Sequence, residues 1–211
     1  MTVPTATPSP RRTRARRGEG EKLREQILEA AERLLVRTGD EDAVSIRAVA
    51  DAVGVTPPSI YLHFADKNEL LFAVCEKHFS RFNEVLAEAQ AAHPDPLDAL
   101  FAMGRGYIRF GLENPEPYRI MFMGKAAALP QGFRQERIMT SAGFGYLVAT
   151  VTRAIESGEL EGDPLMVALG LWASVHGLTS LLISKPDFDW PDRQPLIEHL
   201  LQALITGLAP R

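Results

Sequence analysis

Residues 45–67, SIRAVADAVGVTPPSIYLHFADK, constrain the fold more than any other stretch, because they spell two short helices around one tight turn. Ser45 is of N-cap type, and behind it Ile46, Val49, Ala50 and Val53 share one face. Gly54 ends that helix. Thr56 caps the next, with Pro57 at its first position, where a missing N–H costs nothing. This second helix is predicted from Thr56 to about Phe64, and Ile60 and Phe64, four apart, form its apolar back. Two short helices joined by a glycine-containing turn make a helix-turn-helix.

The rest of the chain reads as helix too. From about Glu21, residues Ile27, Ala30, Ala31, Leu34 and Leu35 fall on one amphipathic stripe, and Gly39 sits where a left-handed cap belongs. Asp66 and Glu69 make a capping-box-like start for a long helix carrying Leu70, Leu71, Val74, Phe79, Phe82 and Leu86. Breaks at residues 93–94, 114–115, 130, 158–164 and 186–191 divide the remainder into five more helical segments. Asp95, Asn114 and Asp163 each precede a proline, the order of a cap followed by a helix start. Sustained strand alternation and repeats are missing, so the expected fold is all-α with nine helices.

Composition narrows the class. At 45% apolar and 24% charged residues, wholesale disorder and collagen are excluded. A single cysteine, Cys75, forbids an intrachain disulfide and a thiolate metal cluster, and no apolar secretory segment opens the chain; both fit a cytoplasmic protein. Net charge is −4, yet residues 1–17 hold five arginines and no acid. Residues 1–18 are therefore read as a flexible basic arm, and a basic front on an acidic body suggests a polyanion partner at one end. Residues 164–184 carry no Asp, Glu, Lys or Arg and are long enough to cross a bilayer. Ser174, His176, Thr179 and Ser180 interrupt them, so the expectation is a helix buried in the protein or in an oligomer, not a membrane span.

In a helix-turn-helix the second helix lies in the major groove of DNA. Here it offers Thr56, Ser59, Tyr61 and His63, groups suited to phosphates, thymine methyls and base edges. Residues 24–74 resemble the N-terminal domain of the TetR family of bacterial transcriptional repressors. The matching elements are ILEAAERLL (27–35), Gly39, SIRAVADAVGV (45–55) and IYLHFADKNELL (60–71), with Val49-Ala50 in place of the usual Ile-Ala. The resemblance implies a helix-turn-helix DNA-binding domain over residues 19–66 and a ligand-binding and dimerisation domain over 67–211. It also implies a homodimer on a double-stranded operator, released by a small-molecule effector whose identity the sequence does not give. Ser45, Arg47, Thr56, Pro57, Ser59, Tyr61, His63 and Lys67 are the expected DNA contacts. Arg47 suits a guanine edge or a phosphate. Lys67, a cation at a helix N-terminus, makes electrostatic sense under a phosphate.

Behind this region the resemblance weakens to NPEPYRIMF (114–122) and to Trp172, His176 and Gly177, which look like the Trp/His-Gly motif of one C-terminal subgroup. Met103, Tyr107 and Phe110 form a stripe that is either core or cavity wall, and Phe122, Phe144, Trp172 and His176 could close the same space around a ligand. Signatures of hydrolases, nucleotide-binding loops and helical metal sites are missing, so no catalytic residue, metal or cofactor is expected. Two other readings stay open: a helical-bundle enzyme or ligand carrier with a basic arm, and a DNA-binding protein that responds to no ligand.

Overall fold

A computed structural model describes residues 19–123 and 142–210, so the arm and Pro130 lie outside the described residues. Within them are nine α-helices and no strand. Helix α1 runs Glu19–Thr38, two residues earlier than its apolar stripe suggests, because Glu19 and Glu21 favour a helix N-terminus. Its buried residues are Ile27, Leu28, Ala30, Ala31, Leu34 and Leu35. Gly39, at φ 61°, turns the chain with its N–H on the Leu35 carbonyl at 2.8 Å. A 3₁₀ turn, Glu41–Ala43, follows; it is capped by Asp40 and is too short to leave a periodic trace in the sequence.

Helix α2 (Ile46–Val53) starts as expected, the Ala48 N–H donating to Ser45 Oγ at 3.1 Å. It stops at Gly54, whose φ of 78° L side chains rarely adopt. Helix α3 spans only Pro57–Ile60, shorter than the expected run to Phe64. The His63 and Phe64 N–H groups still return to the Ile60 carbonyl, so the segment closes as a turn around buried Ile60 and Phe64. Thr56 does not cap it: the Thr56 hydroxyl pairs instead with Ser59 Oγ at 3.1 Å.

Helix α4 (Lys67–Ala91) starts on Asp66, which accepts from the Glu69 N–H at 2.8 Å, while Glu69 accepts from the Ala65 N–H. Helix α5 (Pro96–Glu113) starts on Asp95. Asn114 is not a side-chain cap for α6 (Pro115–Tyr118), since its amide donates back to the Phe110 carbonyl at 2.9 Å. A π-helical turn, Arg119–Met123, ends this region. Then come α7 (Ala142–Glu156), α8 (Pro164–Ser184) and α9 (Arg193–Leu208).

Helix α5 lies at the centre of the rear bundle, packed by α4, α6, α7, α8 and α9. Its glycines are why helices can come so close. A Cβ on Gly104 would stand 2.6 Å from Leu201, and one on Gly111 2.3 Å from the Thr179 methyl. Gly104 and Gly106, without meaning as a phosphate motif, are contact points for α9 and α4. Helix α8 has a mean hydropathy of 1.7 over its most apolar 18 residues, enough by length and composition to cross a membrane. In the fold it packs on α5, α7 and α9 and contributes Val167, Ala168, Leu171, Val175, Thr179, Leu182 and Ile183 to the interior.

Candidate nucleic-acid interface and interior cavity

One continuous core joins the helix-turn-helix to the bundle, running from Ile27, Val49 and Ile60 through Val74 and Phe79 to Tyr107 and Tyr118. Buried Ile60 and Phe64 anchor the second helix of the motif from below, and the Arg24 guanidinium lies 4.9 Å from the centre of the Phe64 ring. Ser45, Arg47, Thr56 and Tyr61 are thereby left exposed, with Pro57, Ser59 and His63 half-buried beside them. Arg47 has no ion pair with a described residue. Lys67 is less free than its position suggests: its side chain is 29% exposed and its Nζ lies 3.8 Å from Asp42 Oδ1. Leu62, 82% exposed between Tyr61 and His63, is an apolar side chain on this surface that charge and hydrogen-bonding criteria pass over.

The seam between this head and the bundle is ionic at its edge. Lys77 of α4 donates to Glu25 at 2.9 Å and lies 3.7 Å from Glu32, both on α1, and these carboxylates hold its ammonium above its ordinary pKa. Beside it His78 is buried, with Nε2 3.6 Å from Glu32 Oε1 and without a hydrogen-bond partner. Burial pushes the His78 pKa down, aided by Lys77 and Arg81 and only partly opposed by Glu32, so the neutral ring is favoured.

Inside the bundle is a cavity of about 60 Å³, counted as space open to the centre of a water molecule. Met103, Tyr107, Phe122, Phe144 and Trp172 line it, as the apolar stripe and the aromatic residues suggest. Phe110 does not; it packs edge-on against Phe82 at 5.2 Å. His176 does not either, because it turns into a hydrogen-bonded cluster behind the wall. Phe79 and Phe82 on α4 and Leu201, Leu204 and Ile205 on α9 are also on the wall, and they were not among the residues expected there from the sequence.

In that cluster the Tyr118 hydroxyl lies 2.6 Å from His176 Nδ1, and the Tyr107 hydroxyl 3.1 Å from both. The Trp172 indole N–H donates to the Tyr107 oxygen at 3.3 Å. Burial lowers the pKa of His176, raises that of Tyr118 to about 12 and lifts that of Tyr107 well above its ordinary value. A neutral His176 accepts at Nδ1 and has its Nε2–H toward Ser180 Oγ, 3.4 Å away. The Trp172 N–H then donates to Tyr107, and the two tyrosine hydroxyls converge on His176 Nδ1. Among the described residues, no group of three His, Cys, Asp or Glu side chains could hold a metal ion.

A helix-turn-helix fused through α1 and α4 to a cavity-bearing helical bundle defines a class of DNA-binding transcriptional regulators. Residues 27–74 match the family described as bacterial regulatory proteins of the tetR family, and residues 100–205 match the tetracyclin repressor-like C-terminal domain. The chain belongs to the TetR family of transcriptional regulators. The rear match carries that general description and does not name a Trp/His-Gly subgroup. The chain is 29% identical over 150 residues to the HTH-type transcriptional activator FasR of Mycolicibacterium smegmatis, covering 71% of this chain and 67% of FasR. It is 34% identical over 85 residues to the HTH-type transcriptional repressor AcnR of Corynebacterium diphtheriae, covering 36% of this chain and 44% of AcnR. Its fold matches the solved structure of a Rhodococcus sp. RHA1 protein of unknown function at a TM-score of 0.75 and 26% identity, over 89% and 96% of the two chains. The enzyme reading falls with this membership: the chain is a transcriptional regulator.

Proposed function

We propose that the chain is a ligand-responsive repressor that binds a palindromic operator as a cytoplasmic homodimer and lets go when a small molecule enters the rear cavity. The observation that supports this most is that α4 reaches both sites, its Phe79 and Phe82 on the cavity and its Lys77 and His78 on α1. A molecule that spreads the cavity pushes on α4 and shifts the head, so occupancy and operator affinity share a coupling free energy, typically ~1–3 kcal/mol. Residues 19–66 are the proposed DNA-binding unit and 67–211 the effector and dimer unit, with arginines of residues 1–18 on phosphates. Ser45, Arg47, Thr56, Pro57, Ser59, Tyr61, His63 and Lys67 face the DNA, and Met103, Tyr107, Phe122, Phe144 and Trp172 the effector. Exposed Leu165, Met166 and Leu181 on α8 support a partner helix there in place of a membrane.

Repression is proposed rather than activation because the chain is similar over 85 residues to AcnR, a repressor by name, although FasR is an activator by name. The small cavity favours a second reading, a DNA-binding protein with no effector. The test is to select binding sites from random DNA with the full chain, then screen small molecules by thermal shift and by loss of the retarded DNA band. Molecules that do both support the effector reading. A selected operator that no stabilising molecule releases supports the second.

A further inference from the structure

We infer that the cavity accepts a neutral, mainly apolar molecule with one oxygen acceptor, such as a ketone, ester or lactone, and that the Trp172 indole N–H is the group that takes that oxygen. The inference rests on the reading of this cavity as the effector site. Among the described residues that line it, none is charged, and only Tyr107 and Trp172 carry a side-chain hydrogen-bonding N–H or O–H. An isolated carboxylate or ammonium would lose its hydration there without a counter-charge. Arg105, next to Gly104 of the lining, does not supply one. Both its Nε and its Nη2 already donate to Glu198, at 2.8 and 2.7 Å.

The two polar groups are not equivalent. The single Tyr107 proton is held within the cluster, where the Tyr118 oxygen and His176 Nδ1 each lie 3.1 Å from the Tyr107 oxygen. A ligand oxygen therefore finds no donor in Tyr107. The Trp172 N–H is a donor only, and at 3.3 Å its bond to Tyr107 is longer than the 2.9–3.0 Å at which such bonds are commonest. It is the longest of the three hydrogen-bond contacts that Tyr107 makes in the cluster. An oxygen that captures it forms a better bond and leaves the Tyr107–Tyr118–His176 chain intact.

The experiment uses the full chain with Trp190→Phe, so that Trp172 is the one remaining tryptophan of the two in the sequence. Six-carbon probes that differ only in their end group, 2-hexanone, hexane and hexanoate, are titrated at neutral pH without DNA by tryptophan emission and by calorimetry. The expected result is that 2-hexanone binds at least tenfold more tightly than hexanoate and changes the emission of Trp172. Trp172→Phe, measured by calorimetry, changes the wall for every probe and should weaken 2-hexanone about 3- to 10-fold more than it weakens hexane, the worth of one hydrogen bond. Tyr107→Phe removes the competing acceptor and should tighten 2-hexanone, whereas loss of a merely structural residue would weaken it. Equal binding of hexanoate, indifference of 2-hexanone to Trp172→Phe, weaker binding by Tyr107→Phe, or no binding by any probe would each overturn the inference. If the ketone pattern appears but operator binding is unaffected, the inference stands and the effector reading fails.

Discussion

Arg47 and Lys67 are the two cations of residues 45–67, and their surroundings differ. Arg47 is exposed near the start of α2 with its donors open to a base edge; Lys67 is half-buried at the start of α4 near Asp42. Arg47→Ala should cost about 1–3 kcal/mol on the operator and relax preference at one base pair. Lys67→Ala should weaken operator and scrambled DNA alike, because a phosphate carries no base information. Titrating both variants on both DNAs at fixed salt checks this; equal losses on both DNAs for Arg47→Ala would make it another phosphate anchor. A change in stability from Lys67→Ala should stay below about 1 kcal/mol, since the pair with Asp42 is solvated on its acidic side. At this scale the sequence reveals residue types but not partners. The Met103–Tyr107–Phe110 stripe is visible because its period is helical, while the bond between Tyr118 and His176 joins residues 58 apart and has no local signature.

Helices were legible where a cap coincides with an apolar stripe or run, as at Ser45 with α2, Asp66 with α4 and Asp163 with α8. At Thr56 and Asn114 the helices start where expected, but the cap side chains bond elsewhere, Thr56 to Ser59 and Asn114 to the Phe110 carbonyl. Close approach between helices was invisible, because it depends on which glycine meets which neighbour. Gly111→Ala tests that packing: its Cβ would overlap the Thr179 methyl and crowd Tyr118, so a loss of about 1–3 kcal/mol is expected in denaturant unfolding. Gly145→Ala in α7 meets nothing within 4 Å and should instead stabilise by about 0.5–1 kcal/mol. At the α1–α4 seam, burial lowers the pKa of His78 below its unfolded value of 6.5, as it does for His176 in the bundle. Between the folded and unfolded values the unfolded chain binds more protons, so stability is fully present above about pH 6.5 and declines as pH falls below it. The thermal midpoint should therefore drop from pH 7.5 to 5.5, and His78→Gln should reduce that drop. An unchanged slope would remove His78 from the seam's pH response.

For the molecule as a whole, family models match both the head, over residues 27–74, and the rear, over residues 100–205, yet the motifs legible in the sequence itself are concentrated in the head. The reason is physical. The groove of DNA is a fixed partner that demands particular side chains at particular turns, while a bundle core accepts many apolar combinations of equal volume. The cavity accordingly had to be located in space, with five of the seven residues expected from the sequence on its wall and two behind it or packed elsewhere. The central claim is that one recognition helix per chain, doubled by a dimer, reads two half-sites. Footprinting the full chain on its selected DNA tests this most directly. The account predicts a symmetric footprint whose half-sites lie about 34 Å, one helical turn, or a multiple of it apart, formed by a dimer. A footprint over a single half-site from a monomer would contradict it.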